Sequence, residues 1–159
     1  MAVAKYEQRA GKLLFLEAVR DLRAKTMMHL YRERVVPTRI RHHYADHMMT
    51  LLDEIDLLVH SANDIFPERE DKKLTYSELY QRQQMQREAL QKLDLFSRNV
   101  QTLIWCGYAK KDSIKMWSKS ITHCETMIKS WAESDRKRWG VVKVDNKGCY
   151  FLLPYNGKK

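Results

Sequence analysis

Apolar residues return at every third or fourth position through most of this chain, the spacing that lines one face of an α-helix. The sharpest case falls in a stretch over about 112–137, where Ile114, Trp117, Ile121, Cys124, Ile128 and Trp131 step by 3, 4, 3, 4 and 3 residues. So narrow a stripe is the seam of a helix bundle, not a broad amphipathic face. A first helix is predicted over about 10–34, with Phe15, Val19, Leu22, Thr26 and Leu30 on its stripe, ending before Val35, Val36 and Pro37. A second, over about 38–66, carries Ile40, Tyr44, Met48, Leu51, Ile55, Val59, Ala62 and Phe66 until Pro67 stops it. Residues 68–74 read as a charged loop. The third helix, over about 75–106, opens on Thr75 and Glu78, a pair in which each side chain takes up the other's free backbone N–H, and Gly107 is placed to close it.

Past Trp139 the period changes. Residues 141–144 and 149–153 read as two short strands around the turn Asp145, Asn146, Lys147, Gly148. Helices of similar length joined by short connections predict an all-α fold: an antiparallel up-down four-helix bundle over 1–139 with a short C-terminal β-hairpin over 140–159. A lone two-stranded hairpin is marginal in water. Tyr150, Phe151 and Leu152 must therefore cover a surface, either on their own bundle or on a partner.

Composition supports this picture. A chain of 159 residues has room for one domain with a real core, and five glycines and three prolines leave the helices few breaks. Cys106, Cys124 and Cys149 are odd in number and at no metal-binding spacing, so they read as reduced thiols. Lys5, Glu7 and Arg9 precede a short apolar run that Glu17 interrupts, which argues against a signal peptide or membrane span and for a soluble cytoplasmic protein.

Charge adds a functional expectation. The net +9 is uneven: residues 1–34 hold eight basic and four acidic side chains, 35–66 two and five, and 138–159 five and one. Arg9, Lys12, Arg20 and Arg23, with Lys5, fall on one stripe of the first helix; Lys111, Lys115, Lys119 and Lys129 do so on the fourth, extended by Arg136, Lys137 and Arg138. First and last helices are neighbours in an up-down bundle, so the two stripes are expected to merge into a phosphate-binding face that reads little sequence. Trp139 and Tyr108 are positioned to add stacking, while Trp117 and Trp131 belong to the core. The acidic second helix, with Asp53, Glu54, Asp56 and Asp64, reads as a solvated face or a docking surface for a basic partner or a neighbouring subunit.

Candidate chemistry is sparse. His43 and His47 are one helical turn apart with Asp46 beside them, but a pair is not a metal site, and no metal or other cofactor is expected. Arg41 and His47 have the Arg-x5-His spacing that resembles the short motif of the HEPN ribonucleases, small helical bundles in which such a pair promotes attack of a ribose hydroxyl on phosphate. There is no Gly-rich phosphate loop, no GxSxG elbow and no HExxH. Binding, not catalysis, is the expectation, with no catalytic residue assigned.

Three stretches resemble one family. Ser61 to Pro67 (SANDIFP), Tyr80 to Gln83 (YQRQ) and Ile128 to Arg138 (IKSWAESDRKR) look like the four-helix-bundle proteins related to the accessory variability determinant of diversity-generating retroelements. The resemblance covers roughly residues 35–138. It implies a basic homopentameric barrel that partners a reverse transcriptase, binds its template RNA and supports mutagenic cDNA synthesis. By position, Lys129, Arg136, Lys137 and Arg138 are its candidate nucleic-acid contacts. A HEPN-like endoribonuclease and a self-associating scaffold that binds only protein are the alternatives.

Overall fold

The computed structural model describes residues 2–32, 36–65, 68–69, 72–73, 75–109, 112 and 114–157, with side chains from residue 14 onward except at 68–69 and 72–73. Four helices run along the chain: α1 (Ala2–Leu30), α2 (Thr38–Asp64), α3 (Tyr76–Trp105) and α4 (Lys115–Trp139). The α2–α3 connection holds a minimal antiparallel pairing of β1 (Glu68–Arg69) with β2 (Lys72–Lys73), and β3 (Val141–Val144) and β4 (Tyr150–Leu153) form the C-terminal hairpin. The four-helix bundle with a terminal hairpin is therefore as the spacing predicts. The expected Phe66 and Pro67 stop lies outside the described residues, as do 70, 71 and 74 of the expected charged loop, whose described residues form the β1–β2 pairing.

Each helix packs on its sequence neighbours, and α1 packs on α4, closing a ring of four. Aromatic contacts fix the direction: Trp131 near the end of α4 stacks on Phe15 of α1 at 4.0 Å, while the Trp117 indole N–H near its start donates to Thr26 Oγ1 near the end of α1 at 2.9 Å. All six residues of the α4 seam are buried, as are Phe15, Val19, Leu22, Thr26 and Leu30 of α1. Burial pushes the Cys124 thiol up to about 12, so it is inert, whereas Cys106 and Cys149 are exposed and free.

Local chemistry sets the helix ends. At α3 both arms of the capping box form: the Glu78 N–H donates to Thr75 Oγ1 at 3.2 Å, and the Thr75 N–H donates to Glu78 Oε2 at 3.0 Å. Gly107, at φ 72°, lets the Tyr108 N–H return to the Leu103 carbonyl and its own N–H to that of Ile104, both at 2.9 Å, closing α3 with a Schellman turn. α1 begins at Ala2, earlier than expected, because residues 2–9 continue in good helix formers, and it ends at Leu30 rather than Arg34. α4 begins at Lys115, later than expected. No side chain caps it, and the burial of Ile114 sets its start instead.

The hairpin packs on its own bundle, against α3, where Tyr150 meets Tyr80 at a ring distance of 5.4 Å. Gly140 makes the corner between α4 and β3. Its φ is 79°, and a Cβ there would stand 2.7 Å from the Leu153 carbonyl oxygen, so no other residue fits without shifting the strand.

Candidate nucleic-acid interface and its buried anchor

The outward side of α4 is the most basic described surface of the bundle. Ser120 faces α1, donating to Asp21 Oδ2 at 2.9 Å and accepting from Lys25 Nζ at 2.8 Å, and the Lys25 hydrogen bond holds the Asp21 carboxyl below its usual range. With that flank and the core seam assigned, helical spacing turns Lys115, Lys119, Thr122, Thr126, Lys129 and Lys137 toward solvent, and all six are exposed. At the N-terminal end of α4, Asp112, Lys115, Ser118, Lys119, Thr122 and His123 line a groove of about 700 Å³. Among the described residues neither Lys115 nor Lys119 has a carboxylate partner. Further along, Lys129 bonds Glu125 and Lys137 bonds Glu133, each one turn back. The Glu133 bond raises the Lys137 ammonium above its ordinary value and lowers the Glu133 carboxyl. Arg136 is half-buried, and the Arg138 guanidinium lies 5.1 Å from the Trp139 ring.

The basic stripe expected on α1 does not join this surface among the described residues. Arg23 faces the opposite neighbour, α2: its guanidinium donates to Asp53 Oδ1 at 2.5 Å and to Asp56 Oδ2 at 3.1 Å. Arg20 is exposed on the outward side of α1, between that flank and the one facing α4. The side chains of Arg9 and Lys12, and the whole of Lys111, lie outside the described residues. The acidic face of α2 likewise has an internal use, since Lys92 of α3 takes Glu54 at 2.9 Å while Arg23 takes Asp53 and Asp56. Three of the four acidic residues singled out on α2 join helices within the chain.

Arg41 and His47 are not arranged as a pair. Six helical residues turn the chain through 600°, leaving the two side chains about 120° apart. Arg41 Nη2 donates to the Val36 carbonyl at 3.2 Å, bracing the turn into α2, while His43 and His47 are exposed. No three His, Cys, Asp or Glu side chains gather in a metal-binding arrangement among the described residues.

A buried polar cluster escapes the sequence reading. Arg82 of α3 is 1 % exposed and makes three hydrogen bonds across the bundle: Nε donates to Asp135 Oδ2 of α4 at 2.6 Å, and Nη1 donates to the Ala62 and Ile65 carbonyls at 2.6 and 3.0 Å, while its guanidinium lies 5.0 Å from the Trp131 ring and 5.7 Å from that of Trp139. The two carbonyls are orphans of the α2 C-terminus, so Arg82 caps α2 from a neighbouring helix. Gln86 also donates to Asp135, giving the buried carboxylate a second donor. Gln83 reaches the hairpin, donating to the Gly140 carbonyl at 2.8 Å and accepting from the Val142 N–H at 3.1 Å. Residues 61–65 and the stretches 80–83 and 128–138 thus meet at one end of the bundle. Their signal was positional: Arg82, Gln86 and Asp135 fall on the three-and-four steps that continue the apolar seams of α3 and α4.

No family model matches the chain, and it matches no curated protein and no solved structure. No helix among the described residues is long and apolar enough to cross a membrane.

Proposed function

We propose that the protein is a non-enzymatic nucleic-acid-binding subunit that contacts phosphates through the outward side of α4. The finer reading is that it acts as a homo-oligomer beside a reverse transcriptase and its template RNA in mutagenic cDNA synthesis. The observation that supports binding is the groove at the start of α4, where Lys115 and Lys119 have no carboxylate partner among the described residues and Ser118 and His123 stand beside them as further donors. Lysines on a convex helix reach the phosphate backbone before base edges, so affinity is expected to depend on salt and hardly on sequence. The polymerase partner rests on the resemblance of the three stretches at the Arg82 end.

Fluorescence anisotropy with labelled single-stranded RNA tests the first part. The log affinity is expected to fall linearly with log salt, with the slope reduced by about one to two in Lys115→Glu/Lys119→Glu, since each lost phosphate contact removes about 0.7 of slope on single strands. Absence of binding at low salt, or binding that the double variant leaves unchanged, overturns it. Affinity capture of the tagged chain from its native cells tests the second part, which fails if no polymerase is recovered.

A further inference from the structure

The two edges of the C-terminal hairpin are not equivalent. The Asp145 N–H donates to the Cys149 carbonyl at 3.0 Å, making 145 and 149 a hydrogen-bonded pair. With the register Val144↔Tyr150, Lys143↔Phe151, Val142↔Leu152 and Val141↔Leu153, alternation makes the Lys143–Phe151 and Val141–Leu153 pairs bonded too. Val142 and Val144 on β3, and Tyr150 and Leu152 on β4, therefore turn their N–H and C=O groups outward. On β3 the outward Val142 N–H is taken by Gln83, whose side-chain amide spans to the Gly140 carbonyl and stands in for a third strand along that stretch, leaving only the Val144 end of the edge open among the described residues. On β4 the outward groups of Tyr150 and Leu152 have no partner among the described residues.

We propose that this open edge pairs with β4 of a second copy of the chain, antiparallel about a two-fold axis through Phe151. Two outward-facing residues spaced two apart are self-complementary in that register. Tyr150 of one copy opposes Leu152 of the other, and the reverse, with two main-chain hydrogen bonds in each pair. Centring the axis on Leu152 would oppose Tyr150 to Pro154, which has no N–H, and centring it on Tyr150 would run Leu152 into the turn at Gly148. The strand has none of the charges that normally protect an edge, so no like charges of β4 itself meet across the pairing. Its four side chains, Tyr150 to Leu153, are 38–42 % exposed, as is Val144 at 38 %. A strand added edge-on covers only part of what they leave exposed, well below the span of tight interfaces, so the dimer is weak and concentration-dependent.

The register makes a specific test available, because Phe151 faces its own equivalent across the axis. Sedimentation equilibrium of the full chain from about 5 to about 500 µM is expected to show a monomer–dimer equilibrium. Phe151→Lys and Phe151→Glu should each be monomeric, and an equimolar mixture of the two should recover the dimer. Leu152→Pro, which removes an outward N–H without adding charge, should also be monomeric, and circular dichroism should show all three variants keeping the helical bundle. A wild-type chain that stays monomeric throughout, an assembly that the substitutions leave intact, or a mixture of folded variants that stays monomeric overturns the proposal.

Discussion

At the C-terminal end of α4, Asp135 is buried against Arg82 and Gln86, whereas at its N-terminal end Lys115 and Lys119 stand exposed. Both ends bear charge on one helix, yet the physical roles differ. At the buried end the carboxylate lost its water and gained fixed donors, so each member is held by the others, and removing one strands the rest. At the exposed end water solvates the ammonium groups, and little folding energy depends on them. The Arg23–Asp53–Asp56 contact between α1 and α2 lies between these extremes, part-exposed and joining two helices.

That comparison breaks most sharply at Arg82. Arg82→Ala leaves Asp135 buried without its guanidinium and opens the α2 C-terminus, and urea unfolding is expected to show a loss of about 3–5 kcal/mol. Retention of wild-type stability would mean that the cluster is solvated in solution. By contrast, Lys115→Glu/Lys119→Glu should shift unfolding by no more than about 0.5 kcal/mol, the range of surface substitutions, while changing RNA affinity. A double-mutant cycle on Arg23→Ala and Asp53→Ala should give a coupling of about 0.2–1 kcal/mol that shrinks in high salt.

The smallest expected effect comes from His29, a buried base kept neutral. It stacks on Trp117 at 5.5 Å, and burial, with Arg32 and Lys25 nearby, holds its pKa below the ordinary 6.5. Because the folded pKa is lowered, the unfolded chain binds the proton more readily once pH falls below about 6.5. The stability His29 contributes is therefore present above that pH and lost as pH falls toward the folded value. Urea midpoints at pH 7.5 and 5.5 should differ less in His29→Phe than in the wild type, and an unchanged difference would assign the pH dependence to other groups.

The bundle was legible because its driving force is. Ile114 to Trp131 mark their own inside by apolarity, Thr75 and Glu78 write a helix start in two letters, and Gly107 writes an end. The candidate interface was legible only in part. Counting charges by segment finds basic helices and an acidic one, but whether Arg23 meets solvent or Asp53 depends on which flank of α1 faces α2, a tertiary fact. Arg82, Gln83 and Gln86 carry no mark of burial of their own, since polarity usually means solvent. Their partners are 17 to 59 residues away in sequence, beyond any local window. What remained visible was their place in the step pattern, where a polar residue on a seam marks a buried bond.

Gln83 also sets a limit on growth. A sheet with two open edges can add strands without end, the geometry of a fibril. Here one side-chain amide occupies the Gly140–Val142 stretch of one margin of the hairpin, so a strand can add along it only by displacing Gln83. A single position on a helix thereby raises a barrier between coupling once and polymerising.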